Sequence, residues 1–218
     1  MKIFYTSILF LFISILTQAQ DTKVRYGIKG GANLSTITGR EIFDKNNPRI
    51  SFHAGGVIEI PLSEVFSLQP ELLYSQQGSR FVQTIELRDG ANEEPVLLDI
   101  NYDFNLNYIT VPLLAKYYVS ERFNFNLGPQ IAYLLTAKEK NNFPTQTQGE
   151  SETQNDIKDG YKDLDFSVKI GAEYYFKSDI FLGVSYGLSL TKINKFENTI
   201  EDNAQRNSVF QLSIGYKF

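Results

Sequence analysis

His53 is the only histidine in the chain. An imidazole can act as a general base when a hydroxyl lies on one side of it and a carboxylate orients it from the other. The candidates for those roles are Ser35, Ser75 and Asp103. In the strand pattern described below, Ser35 and Ser75 end the first and third strands, and Asp103 lies near the external end of the fourth. His53 lies three residues into the second, on the polar face. A hydrolase or acyltransferase acting on lipid or peptide at that rim is one reading of such a group. The other is ordinary hydrogen bonding, because Ser and Asp are common at strand ends. We take the second, so the chain is read as a non-enzyme and no catalytic residue is assigned.

Metal chemistry has less to draw on. The chain has no Cys, which removes thiolate ligands, disulfides and a lipid anchor through Cys. Glu150, Glu152, Asp156 and Asp159 could gather calcium loosely, but on a long polar connection they read as a solvated acidic loop. No metal or cofactor is expected.

A larger group of ionisable residues falls on one face of the strands. Arg25, Lys29, Lys169 and Lys217 share it with Glu59, Glu71, Asp165 and Glu173. Unpaired charges in a narrow interior are costly, so these four cations and four anions are expected to form paired networks. A filled interior is the favoured reading, with a narrow channel or small-ligand binder as the alternative.

Eight alternating segments position these groups: 24–34, 51–62, 66–77, 102–117, 123–135, 164–176, 180–191 and 210–218. In the last, Phe210, Leu212, Ile214, Tyr216 and Phe218 oppose Gln211, Ser213, Gly215 and Lys217. A period of two with an apolar outer face marks a lipid-facing barrel strand. The fourth segment is irregular. Tyr102, Phe104, Leu106 and Tyr108 are its apolar set at first, with Asp103, Asn105 and Asn107 inward. From Ile109 onward, Ile109, Val111, Leu113, Ala115 and Tyr117 take over. A bulge near Thr110-Val111-Pro112 would produce that slip.

The connections alternate in length. Short turns fall at 63–65, 120–122 and 177–179, and long polar ones at 36–49, 78–100, 137–163 and 192–207. Outer-membrane barrels have short periplasmic turns and long external loops, and an even strand count then leaves both termini periplasmic. Residues 141–156 contain one large apolar residue, Phe143. That stretch is expected to be mobile, because it cannot bury enough surface to order itself.

A soluble barrel with an apolar interior would also alternate. Two features favour lipid outside. The polar face of the seventh segment, Gly183, Ser185, Gly187, Ser189 and Thr191, carries no charge and suits a narrow lumen. Tyr26, Tyr74, Tyr102, Tyr108, Tyr133, Tyr174 and Tyr216 lie mostly near segment ends, where interfacial girdles sit. The fold class is therefore all-β: an eight-stranded antiparallel up-and-down transmembrane β-barrel with short periplasmic turns and four long external loops.

The chain opens with Lys2, an apolar run over 8–16 broken only by Ser14, and Thr17-Gln18-Ala19. This reads as a cleaved signal peptide, 1–19, with the barrel domain at 20–218. The apolar stretch 3–16 is shorter than the roughly 20 residues of a membrane helix. Losing Lys2 takes 21 Lys+Arg to 20 against 25 Asp+Glu, a net charge of −5. No basic stripe is present, so nucleic acid is not an expected partner.

Several stretches resemble the PorT-like outer-membrane beta-barrel proteins of the Bacteroidetes. They are Tyr26-Gly27-Ile28-Lys29-Gly30-Gly31-Ala32-Asn33-Leu34-Ser35, Phe52-His53-Ala54-Gly55-Gly56, and Pro61-Leu62-Ser63 running on through Leu68-Gln69-Pro70-Glu71-Leu72-Leu73-Tyr74 to Gly78. Tyr108-Ile109-Thr110-Val111-Pro112-Leu113-Leu114-Ala115-Lys116-Tyr117 and Gly128-Pro129-Gln130 match later strands. The order of the motifs carries the resemblance, and the long loops are least alike. It implies an eight-stranded barrel in the outer membrane, inserted by the barrel assembly machinery; a monomer is expected. It implies little function: the family's namesake takes part in type IX secretion and gliding, which makes secretion-system or envelope proteins the candidate partners, but most relatives have no assigned role. It assigns no functional residue.

Overall fold

The computed structural model describes residues 23–39, 45–87, 96–145, 149–195 and 204–218. The expected signal peptide lies outside the described residues. Among the described residues nine strands form one antiparallel sheet: β1 (Arg25–Thr38), β2 (Lys45–Pro61), β3 (Phe66–Leu87), β4 (Val96–Ser120), β5 (Phe123–Thr145), β6 (Gly149–Asp156), β7 (Leu164–Tyr175), β8 (Ile180–Ser189) and β9 (Arg206–Lys217). Eight of them close a ring in the order β1-β2-β3-β4-β5-β7-β8-β9. β9 pairs back onto β1 from Gly27↔Lys217 to Thr38↔Arg206. Mutual backbone bonds between Tyr26 and Phe218, at 3.2 and 2.8 Å, finish the seam. The all-β up-and-down barrel expected from the alternation is therefore present.

The outer surface is apolar, and most of its large residues are exposed. Ile28, Leu72, Ile170, Ile214 and Phe218 are 56–70% exposed on four different segments. Neighbouring outward rings touch at the short-turn end: Phe66 with Tyr117 at 5.1 Å, Phe123 with Phe125 at 5.0 Å and Tyr174 with Phe176 at 5.3 Å. An exposed belt of this kind is stable in hydrocarbon, with the amphipathic rings at its edge.

The short turns fall where expected, but the strands on the other side run much further. β3, β4 and β5 have 22, 25 and 23 residues, whereas β7, β8 and β9 have 12, 10 and 12. Much of the sequence expected as loop at 78–100 and 137–145 is a sheet wall rising above the short strands. Beyond the bilayer a strand needs no apolar outer face, so periodicity does not reveal it. Part of the stretch expected to be mobile is also strand: β6 pairs with β5 from Lys138↔Asp156 to Thr145↔Gly149. Backbone pairing satisfies its N–H and C=O groups without apolar burial. Residues 146–148 lie outside the described residues.

Gly78 and Gly215 are among the glycines required by close approach. Gly78, inside β3, has φ +138°, and a Cβ there would lie 1.8 Å from the carbonyl oxygen of Phe104. On β9, a Cβ at Gly215 would lie 2.3 Å from the Phe181 ring, which packs across that position. Each permits a contact that any other residue would block.

The phase slip expected in β4 does not occur. Phe104, Leu106, Tyr108, Thr110, Leu114 and Lys116 are all at most 2% exposed, so one face points inward without a break. The irregularity belongs to β5. Asn107 pairs with Thr136 and Tyr108 with Leu134, leaving Leu135 as the extra residue. The inward row of β4 looked like an outward one because its upper half is apolar.

Candidate functional site: a lumen closed at both ends

At the short-turn end the lumen is closed by charge. Glu59 on β2 is fully buried. It accepts hydrogen bonds from Arg25 Nη2 at 2.9 Å, Lys116 Nζ at 3.4 Å and Tyr175 OH at 3.4 Å, and also from Lys217 and Tyr118. Lys116, on β4, donates to Glu173 Oε2 at 2.6 Å, Tyr175 OH at 2.7 Å and Gln69 Oε1 at 3.1 Å. Residues from six strands thus meet in one network. The alternating pleat aims each inward, and full pairing is what makes burial of so many charges tolerable.

Above this, Lys29 donates to Glu71 Oε1 at 2.7 Å, and Gln69 joins Glu71 and Glu173 at 2.8 and 3.3 Å. Lys169 lies 3.7 Å from the other oxygen of Glu71. Seven of the eight charges expected inside are therefore in ion pairs. Asp165 is the exception. It is held by Ser189, by Thr191 Oγ1 at 2.9 Å and by Asn207 Nδ2 at 3.5 Å, with hydroxyls and an amide in place of a cation. Lys116, a central member, was absent from the expected set. Its alternation with Ile109, Val111, Leu113, Ala115 and Tyr117 is the signal that places it inward.

His53 lies deeper than the rim, because β2 begins eight residues before it. None of Ser35, Ser75 and Asp103 is a hydrogen-bond partner of its ring; Ser75 lies opposite it on β3 and accepts from Asn33 Nδ2 at 3.1 Å. Its Nδ1 is 2.7 Å from Asn33 Oδ1, and its Nε2 is 2.8 Å from Ser213 Oγ. The Asn33 amide is fixed by its Nδ2 bonds to the carbonyls of Phe52 and Gln76, at 3.0 and 2.6 Å. Oδ1 must therefore accept, Nδ1 carries the proton and Nε2 accepts from Ser213 in the neutral ring. The order serine, histidine, asparagine is that of a hydrolytic relay. Here Ser213 is 5% and His53 1% exposed, enclosed between the ionic layer and the far closure. Asp103 lies on the opposite face of β4 from the lumen. Its carboxylate accepts from Arg49 Nε at 2.8 Å and Arg80 Nε at 3.3 Å.

At the long-loop end the closure is apolar. Ile37, Phe81, Phe104, Leu106, Tyr108, Leu134, Ala137, Tyr161 and Ile193 form one buried cluster, each at most 3% exposed. Phe81 and Phe104 meet edge to face at 5.4 Å. Tyr161 and Ile193 come from the β6–β7 and β8–β9 connections. Those connections are tied together: Lys162 N donates to Ile193 O at 2.7 Å and Lys195 N to Gly160 O at 2.9 Å. Two chain segments thus lie across the mouth as a hydrogen-bonded lid. Nothing in the alternation pattern marks either residue.

Comparison with solved structures returns barrels of the outer membrane at low identity. The attachment invasion locus protein Ail of Yersinia pestis is 12% identical, with 90% of this chain and 100% of that one covered and a TM-score of 0.46. Neisserial surface protein A is 11% identical over 88% and 97% of the two chains, with a TM-score of 0.48. The outer membrane protease OmpT of Escherichia coli is 11% identical over 91% and 98%, with a TM-score of 0.41. No curated protein matches the sequence. Residues 18–195, most of the chain, match the outer membrane protein beta-barrel domain family. With a closed ring of strands, an apolar outer belt and a polar lumen, the chain belongs to that family of outer-membrane barrels.

Proposed function

We propose that the protein is a non-enzymatic, side-chain-filled barrel that acts through its extensions beyond the membrane, in envelope integrity or in a secretion or assembly system as in the PorT-like proteins it resembles. The observation that carries this reading is the double closure of the lumen. An ionic network fills one end and an apolar cluster under a lid fills the other, so no open path runs through the barrel. Reconstituted into planar bilayers, the purified protein will give no stable single-channel currents. Large, persistent currents would overturn the filled lumen and favour a channel. A fluorophosphonate probe will leave Ser213 unlabelled in the folded protein, because the hydroxyl is enclosed. Covalent labelling at Ser213, lost in His53→Ala, would instead make the serine–histidine–asparagine relay an enzyme.

In this reading the short turns and both termini are periplasmic, and the sheet wall stands outside the cell. A protease site inserted at residue 147 will be cleaved on intact cells, and one inserted at 178 will not. Equal cleavage at the two positions would refute the orientation.

A further inference from the structure

Between the ionic layer and the apolar closure lies a cavity of about 10 Å³, lined by Ser167, Lys169, Thr110, Gln130 and Gly187 among others. That is room for one body of about the size of a water molecule. Lys169 faces it with an ammonium group that makes no hydrogen bond, although the side chain is only 2% exposed. Its nearest carboxylate oxygen, Glu71 Oε2, is 3.7 Å away and also lacks a hydrogen bond. Glu71 is already engaged by Lys29 at 2.7 Å, so two buried cations share one carboxylate. Asp165 lines the same cavity but does not relieve this. It lies four residues along β7, about 13 Å at the rise of an extended strand, and is held by its own three donors.

The surroundings of Lys169 are open where they need not be. Its register partner on β8 is Gly187. A Cβ there would meet nothing closer than the Val209 carbonyl oxygen at 3.9 Å, so sterics do not demand glycine. The hydroxyls beside the space are weakly committed: Ser167 and Thr110 donate to backbone carbonyls only at 3.5 Å. An ammonium with no hydrogen bond, whose nearest carboxylate is shared with Lys29, and two redirectable hydroxyls are donors for an anion.

We propose that this cavity is a binding site for one small monovalent anion of chloride size, held by Lys169 and completing the lumen's charge balance. The proposal rests on the filled-lumen reading, and the two fail in different experiments. Stable conductance refutes the filled lumen. The anion site is tested by diffraction from the folded barrel crystallised in sodium bromide. An anomalous peak beside Lys169 Nζ is expected, and a peak-free site holding water alone would overturn the proposal.

A solution measurement checks it independently. Followed by the near-ultraviolet circular dichroism of its tyrosines in a non-ionic detergent, the unfolding temperature should rise as chloride replaces gluconate at constant ionic strength. At a hundredfold excess over the dissociation constant the rise should be about 5 °C. Gly187→Val fills the space without touching any charge and should abolish that rise, as should Lys169→Met. A chloride response that persists in Gly187→Val, or is missing from the wild-type protein, would sink the site.

Discussion

Glu59→Ala will produce the largest loss of stability of any single substitution in the ionic layer. Its carboxylate is the common acceptor for Arg25, Lys116, Lys217, Tyr118 and Tyr175. Removing it leaves three cations close together with only Glu173 to balance them. Breaking a buried pair from one side costs about 3–5 kcal/mol. The compact form seen on unheated gels should therefore be lost at a clearly lower temperature. Glu59→Gln keeps the shape and one acceptor but not the charge, and should fall on the same side of wild type. Tyr175→Phe removes one hydroxyl from the network and should cost less, about 1–3 kcal/mol. Heat stability unchanged in all three variants would mean that lumen water compensates the charges and the layer is not a plug.

The second large effect concerns Phe104. Its ring is 1% exposed and packs against Phe81 in the apolar closure. Phe104→Ala should cost about 3–5 kcal/mol, as truncation of a buried aromatic does. The position also separates two descriptions of β4. If its phase slipped, Phe104 would face lipid; with continuous parity it faces the lumen while Ile109 faces lipid. Because the chain contains no Cys, Phe104→Cys and Ile109→Cys each accept a single fluorescent label. Brominated lipid will quench the label at position 109, and neither brominated lipid nor aqueous iodide will quench the one at 104. Quenching at both would restore the slip and remove Phe104 from the closure.

The parts of this barrel legible in the sequence are those in contact with lipid. Hydrocarbon demands an apolar outer face and a spanning strand of fixed minimum length, so Tyr26, Ile28 and Leu34, or Phe210 to Phe218, announce themselves. The wall beyond the bilayer faces water on its outer side, and water makes no such demand. Arg80 and Asp103 sit outside it as comfortably as apolar residues sit in the belt, which is why 78–100 read as loop. The same cause hid the upper half of β4. There the apolar residues point in and the polar ones point out, the reverse of the pattern a few residues below, and an inverted row imitates a bulge. The ionic network was partly predictable from inward parity: Lys29, Glu71, Lys217 and Glu59 face the lumen and are ion-paired there. Asp165 was not, since parity says which face a group occupies but not which partner reaches it. The Ser213–His53–Asn33 contact joins three strands through the β1–β2 and β1–β9 registers, and no spacing along the chain encodes it.

The two closures differ in one further respect, their response to temperature. Association of apolar side chains weakens on cooling, because its driving force near room temperature is entropic. The cluster around Phe104 and Tyr161 will loosen first in the cold. Burial of charge behaves in the opposite way: the penalty for dehydrating Lys116, Glu59 and Glu173 shrinks as temperature rises. A barrel stoppered by one device of each kind has no temperature at which both are weakest. Cooling slackens the lid while the salt network at the far end keeps the lumen sealed, and warming restores the lid.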